Sequence, residues 1–148
     1  MNVLIRTDAS KKIGSGHVMR CLTLADGLRM RGAQIKFSCI RHEGHLCDLI
    51  SERGYEVISA IENTGASDLL IVDHYELDEN WETSQRPFCK RIFVIDDLAR
   101  SHDCDILLDQ NLVADFKTRY TGKVLANCKL LLGPEYALLP PIYAELHN

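Results

Sequence analysis

The chain has 148 residues, of which 46% are apolar and 26% charged, with a formal net charge of −4. That size and balance fit one globular domain able to bury a substantial core. No run of basic residues supplies an electrostatic footprint for nucleic acid, so the expected partner is a small molecule or another protein.

Strands and helices alternate along the chain. Val3 to Arg6 is a short apolar run that reads as a strand, and after two glycines Val18, Cys21, Leu22, Ala25 and Leu28 recur on one helical face. Gly32 stops that helix. Ile35 to Ile40 reads as a second strand, Leu46, Leu49 and Ile50 as a short amphipathic helix ending at Gly54, and Tyr55 to Ile58 as a weaker strand. Asn63 to Ser67 has the composition of a long surface loop. Leu69 to Val72 and Ile92 to Ile95 are continuous apolar runs, as expected of strands buried on both faces of a parallel sheet. Leu77 to Arg86 between them is predicted helical, ending before Pro87, and Ile106 to Leu108 and Leu130 to Leu132 complete the strands. The pattern predicts an α/β, doubly wound, mainly parallel sheet. The amino-terminal segment has no basic stretch leading into a long apolar one, and no apolar run reaches the length of a membrane span, so a cytoplasmic protein is expected. Cys21, Cys39, Cys47, Cys89, Cys104 and Cys128 are scattered without CxxC spacing and read as free, buried thiols of a reducing compartment.

Each apolar run stops abruptly in polar residues. The clusters are Arg6-Thr7-Asp8, Arg41-His42, Asp73-His74-Tyr75, Asp96-Asp97, Asp109-Gln110-Asn111 and Gly133-Pro134-Glu135-Tyr136. In a parallel sheet the carboxyl ends of the strands share one rim, and open α/β folds bind ligands there. Asp and Asn also end strands and cap helices in the ordinary course of folding, which would account for any single cluster. Six clusters on one rim favour a site.

Gly14, Ser15, Gly16 and His17 form a glycine-rich turn leading into the first helix. Backbone N–H groups at a helix start attract anions, glycine allows close approach, and the helix dipole favours a neutral imidazole that can accept a proton. A tight turn with a solvent-facing histidine is the plainer alternative. The sequence GSGHVM has Met19 where a dinucleotide fingerprint needs its third glycine, and the second strand ends without an acidic residue for a ribose, so a nicotinamide cofactor is not expected. No Gly-Lys-Ser/Thr follows to make a nucleotide-binding P-loop. Cys39, His42, His45 and Cys47 are closely spaced potential ligands, but their spacing matches no standard zinc motif and the two cysteines fall on apolar positions. No metal and no cofactor are expected.

Four segments in order also carry a resemblance: IRTDASKKIGSGHVMRCLTLADGL, LLIVDHYELDENWE, VIDDLARSHDCDILLDQN and LLGPEYALL. Together they resemble the nucleotide-sugar hydrolases of pseudaminic acid biosynthesis, from about Val3 to Leu139. That family hydrolyses UDP-2,4-diacetamido-2,4,6-trideoxy-β-L-altropyranose to UDP and the free sugar. The resemblance implies a Rossmann-like catalytic-base domain over residues 1–139, the amino-terminal half of a GT-B architecture, with 140–148 as a tail. It implies that His17 is the base activating water for inverting attack on the anomeric carbon. It implies that Arg6, Asp8, Gly14, Ser15, Gly16, Asp73, His74, Tyr75, Asp96, Asp97 and Asn111 line the cleft for the UDP-linked sugar. A carboxylate such as Asp8 or Asp97 could orient the imidazole, and the sequence does not choose between them.

The resemblance departs at Leu139, where the family continues into Arg-Pro and a second, nucleotide-gripping domain. Here Pro140 and Pro141 follow, and the sequence reads on to Asn148. The expectation is a base-bearing half with little turnover by itself, completed by a separate carboxyl-terminal-domain chain or prone to self-association through an exposed docking face. A GT-B-like glycosyltransferase half and a non-catalytic sugar-nucleotide-binding domain are the alternatives.

Overall fold

The computed structural model describes residues 1–59 and 66–146. Seven strands, β1 (Asn2–Thr7), β2 (Gln34–Ser38), β3 (Glu56–Ile58), β4 (Ser67–Asp73), β5 (Cys89–Ile95), β6 (Ile106–Asp109) and β7 (Lys129–Leu132), form one sheet in the order β3-β2-β1-β4-β5-β6-β7. Every neighbouring pair is parallel. Helices α1 (Gly16–Met30), α2 (Cys47–Glu52), α3 (Glu79–Gln85) and the short α4 (Ile142–Glu145) complete the fold. The chain is thus an α/β, doubly wound, Rossmann-like domain with a wholly parallel sheet.

The continuous apolar runs are explained by burial on both sheet faces. Along β1 and β4, Val3, Ile5 and Ile71 enter one core with Val18, Cys21, Leu22 and Ala25 of α1 and Cys47 and Ile50 of α2. Leu4, Leu70 and Val72 enter the other with Ile92, Val94, Leu107 and Tyr120, against half-buried Trp81 of α3. Alternation of side chains along a strand sends neighbours to opposite faces, so a strand covered on both must be apolar throughout. Each fully buried side chain of this kind contributes about 1.5–3 kcal/mol.

The ends of elements follow local chemistry. Gly32 has φ +90°, and the Gly32 and Ala33 amides bond the carbonyls of Arg29 and Leu28, a glycine-terminated helix end. Asp78 caps α3 by accepting from the Trp81 amide, and a 3-10 turn at Arg86–Phe88 takes over where Pro87 lacks an N–H for the helical ladder. The predicted helix over 77–86 is therefore narrower. The second strand stops at Ser38 rather than Ile40 because the Ile40 amide is taken by Asp8 Oδ1 at 2.8 Å. Residues 63–65 of the expected loop lie outside the described residues, and Ser67 already opens β4.

Strict strand-helix alternation fails after β5. The connections 96–105 and 110–128 carry no helix and are held by long-range bonds instead. The His102 amide donates to the Lys123 carbonyl, and the Lys123 ammonium to the Ala99 carbonyl at 2.7 Å. Tyr120, fully buried, places its hydroxyl 3.1 Å from carboxylate oxygens of both Asp96 and Asp109.

Sheet order reverses between β1 and β4, which both flank the same crevice at their carboxyl ends. The glycine turn and the Asp73-His74-Tyr75 cluster meet there.

Candidate active site

Two polar clusters occupy this crevice. His17 lies in the first turn of α1 on its buried face, its side chain 8% exposed. Its Nδ1 is 2.5 Å from Asp73 Oδ1, at the end of β4. Arg20, one turn along α1, closes on the same carboxylate through Nε to Oδ2 and through Nη2 to Oδ1 at 2.6 Å. The Arg20 Nη2 also lies 3.2 Å from His17 Nδ1. A carboxylate only accepts and a guanidinium only donates, so the proton on Nδ1 belongs in the bond to Asp73. That tautomer leaves the Nε2 lone pair as the free end of the ring. Burial opposes a charge on Arg20, and the bonds to Asp73 outweigh it, raising the guanidinium above its ordinary value. Neither Asp8 nor Asp97 is bonded to His17; the orienting carboxylate is Asp73.

The second cluster surrounds Asp8, which is 2% exposed. Arg6 grips it with two bonds, Nη1 to Oδ1 at 2.6 Å and Nη2 to Oδ2 at 2.9 Å. His74 Nε2 lies 2.9 Å and His42 Nε2 3.3 Å from Oδ2. His74 Nδ1 accepts from the Glu76 amide at 3.0 Å, which puts the His74 proton on Nε2, toward Asp8. Burial would raise the Asp8 carboxyl, but the bonds from His74, Arg6 and the Ile40 amide hold it well below the usual carboxylate range. Arg6 and His74 are thereby committed to Asp8, and His74 is not a second free base.

Asp8, Ile13, His17, His74, Tyr75 and Glu76 line one small cavity. Tyr75 packs edge-on to His17, with ring centroids 4.5 Å apart, and its hydroxyl donates to Asp97 Oδ2 at 2.9 Å. Burial and that bond push the Tyr75 phenol up. The other Asp97 oxygen is buried without a hydrogen-bond partner among the described residues. Gly14, at φ +83°, turns the chain into α1, and Ser15 and Gly16 stand exposed beside the cavity-lining Ile13 and His17. Ser15 makes no side-chain cap, so the first amides of α1 have no side-chain acceptor there. Asn111 is exposed beyond β6, where its amide bonds Asp109 Oδ1 at 3.1 Å, and it makes no bond to the His17 or Asp8 clusters. A larger hollow at the opposite, amino-terminal ends of the strands is lined by Asn2, Gln34, Lys36, Glu56 and Ser67. Its Lys36 ammonium and Glu56 carboxylate pair with each other at 3.3 Å, both about half exposed.

Asp96, by contrast, faces inward. It accepts from the Arg100 amide and Nε, each at 3.1 Å, and sits 3.1 Å from His102 Nε2. His102 Nδ1 is 2.6 Å from Glu82 Oε1. The His102 Nε2 contact is an ion pair whose alignment falls short of a hydrogen bond. Burial alone would depress His102; the carboxylates of Asp96 and Glu82 outweigh it and lift the imidazole to about 9.

Sequence reasoning missed Arg20 and Arg100. Arg20 had a signal, since position i+3 on a helix shares the face of His17. Arg100 had none. The four closely spaced Cys and His residues take different partners: Cys39 Sγ donates to the Thr7 carbonyl, His42 turns to Asp8, His45 Nδ1 accepts from the Cys47 amide, and Cys47 Sγ lies 3.9 Å from the Cys39 carbonyl.

A doubly wound parallel α/β domain with a carboxylate-oriented histidine at its switch point is the class that fold and site define. No family model matches the chain. In sequence it is 35% identical over 148 residues to the UDP-2,4-diacetamido-2,4,6-trideoxy-β-L-altropyranose hydrolase of Campylobacter jejuni, a match covering 94% of this chain and 52% of that protein. It is 26% identical over 149 aligned positions to an uncharacterised protein of Methanocaldococcus jannaschii, covering 94% of this chain and 31% of the other. The chain therefore spans about half the length of the first relative and about a third of the second.

Proposed function

We propose that this chain is the base-bearing half of a nucleotide-sugar hydrolase that cleaves UDP-2,4-diacetamido-2,4,6-trideoxy-β-L-altropyranose into UDP and the free sugar. The observation that carries the reading is the His17–Asp73–Arg20 arrangement, which engages Nδ1 and leaves Nε2 without a hydrogen-bond partner among the described residues, on a ring that lines the cavity at the switch point. The similarity to the Campylobacter jejuni hydrolase supplies the substrate.

Water held at His17 Nε2 loses a proton to the ring as its oxygen bonds the anomeric carbon. The carbon–oxygen bond to UDP breaks from the opposite face, and the electron pair leaves with the diphosphate, inverting the centre. Asp73 fixes the tautomer and stabilises the imidazolium that forms, while Arg20 holds Asp73 in place. The exposed Ser15, the uncapped start of α1 and Tyr75 are suited to polar and apolar groups of the sugar. A nucleotide-gripping segment from a longer chain or a separate one completes the cleft, and Leu112, Leu139, Ile142 and Leu146, all well exposed, offer it apolar surface. By itself the chain then turns over little, because a base without a positioned substrate is inefficient.

The test is UDP release from the trideoxy nucleotide sugar, by this chain alone and with a candidate second segment added. Turnover that appears on complementation and vanishes in His17→Ala is expected. Turnover undiminished in His17→Ala would sink the reading. Sedimentation at high concentration separates complementation from self-association through the same surface.

A further inference from the structure

Arg100 is the one guanidinium among the described residues on which three main-chain carbonyls of the site converge. Its Nη1 donates to the carbonyls of Tyr75 at 2.8 Å and Leu77 at 3.1 Å, and its Nη2 to that of His74 at 3.3 Å. The opposite edge is anchored on Asp96, through Nε at 3.1 Å and Nη2 at 3.0 Å. Asp96 is itself 1% exposed and is fixed by the Arg100 amide, the Tyr120 hydroxyl and His102. Ala99, at φ +54°, is the non-glycine residue held in the left-handed region among the described residues, and Arg100 follows directly on that turn.

The gripped segment carries the two side chains that frame the cavity. His74 donates to Asp8, and Tyr75 packs its ring edge-on to His17 and bonds Asp97. Residues 74–77 lie beyond the β4 ladder, and their local bonds are a 3.4 Å turn contact from the Leu77 amide and the bond from the Glu76 amide to the His74 ring. A guanidinium is suited to this task because its planar fork presents several donors at fixed angles, where an ammonium offers a single nitrogen. Its donors point at backbone and at Asp96, and Arg100 does not line the cavity.

We infer that Arg100 is a positioning residue for the His17 site: by clamping the 74–77 turn it fixes the Tyr75 ring against His17 and the His74 ring on Asp8 without itself touching substrate. Its catalytic consequence rests on His17 being the base, but its geometric consequence does not.

The experiment uses the isotopically labelled chain and the variants Arg100→Gln and Arg100→Lys. In the unmutated chain the ring protons of His17 and Tyr75 are expected to give a nuclear Overhauser effect, and the Arg100 Nη protons to be resolved and protected from exchange. Arg100 Nη protons that exchange as freely as those of a solvated arginine overturn the inference without any variant. Both variants are expected to keep cooperative unfolding yet lose most of the His17–Tyr75 effect. Lys is expected to fail as a rescue, since it keeps the charge opposite Asp96 and loses the three-carbonyl fork. A folded variant with the wild-type ring contact also overturns it, leaving a purely structural arginine. UDP release measured on the complemented protein reads separately. Wild type without turnover refutes the hydrolase reading and leaves the ring contact to decide Arg100, whereas turnover that survives in Arg100→Gln with kcat unchanged counts against positioning.

Discussion

Replacing His102 by Gln removes a buried cation held between Glu82 and Asp96, and the size of its effect depends on pH. The imidazole is lifted from 6.5 to about 9 in the folded chain, a difference of 2.5 units. At 1.36 kcal/mol per unit, that corresponds to about 3 kcal/mol of stabilisation. A folded-state pKa above the unfolded one means that the native state binds the proton more tightly. The contribution is then fully present below pH 6.5 and is lost as pH rises through about 9. For 148 residues the unfolding entropy is about 0.3 kcal/mol per kelvin, so the effect reads as a Tm difference of roughly 10 °C. Urea unfolding of wild type and His102→Gln in parallel, from pH 6 to pH 10, subtracts the titration of thiols and phenols common to both. The stability gap should be widest at the acid end and narrow steadily through pH 9. A gap that stays flat across the range would refute the assignment of a buried imidazolium.

Other expectations follow from the same geometry. Asp73→Asn leaves the ring in place but turns one of the two acceptor oxygens into an amide donor, which selects the wrong imidazole tautomer when it faces Nδ1, so UDP release by the complemented enzyme should fall by roughly 10³ to 10⁴ with KM little changed; an intact kcat would show that another group orients His17. Tyr120→Phe strips the hydroxyl shared by two buried carboxylates and should cost about 1–3 kcal/mol in urea unfolding, whereas an unchanged midpoint would mean that water replaces it. Asp8, held below the usual carboxylate range, stabilises the fold above its ordinary value of 3.8 and loses that contribution as pH falls below it. Asp8→Asn should therefore flatten the acid limb of the stability curve, and an identical limb in both proteins would contradict the paired-carboxylate account.

Much of this arrangement is legible in the chain read by itself. Leu69 to Val72 and Ile92 to Ile95 identify central strands because a strand covered on both faces must be apolar at every position. The spacing of Val18, Cys21, Leu22 and Ala25 identifies α1, since only a helix brings those positions to one side, and Gly32 marks its end through a backbone conformation glycine adopts freely. The clustering of polar residues after each strand points to the rim, and His17 stands out by its place at a helix start. The comparison with the Campylobacter jejuni hydrolase matches the resemblance carried by the four motifs.

What the chain read alone leaves open is which polar groups meet. His17 and Asp73 are 56 residues apart and come together only because β4 pairs with β1 at the point where strand order reverses. Arg100 reaches the carbonyls of His74, Tyr75 and Leu77 only because β5 lies beside β4 and Ala99 turns the chain back. Local pattern determines secondary structure and burial, since both depend on near neighbours and on hydrophobicity. The partner of a charged side chain is set by sheet order and register, which tertiary packing decides, and here it made Asp73 the carboxylate that orients His17.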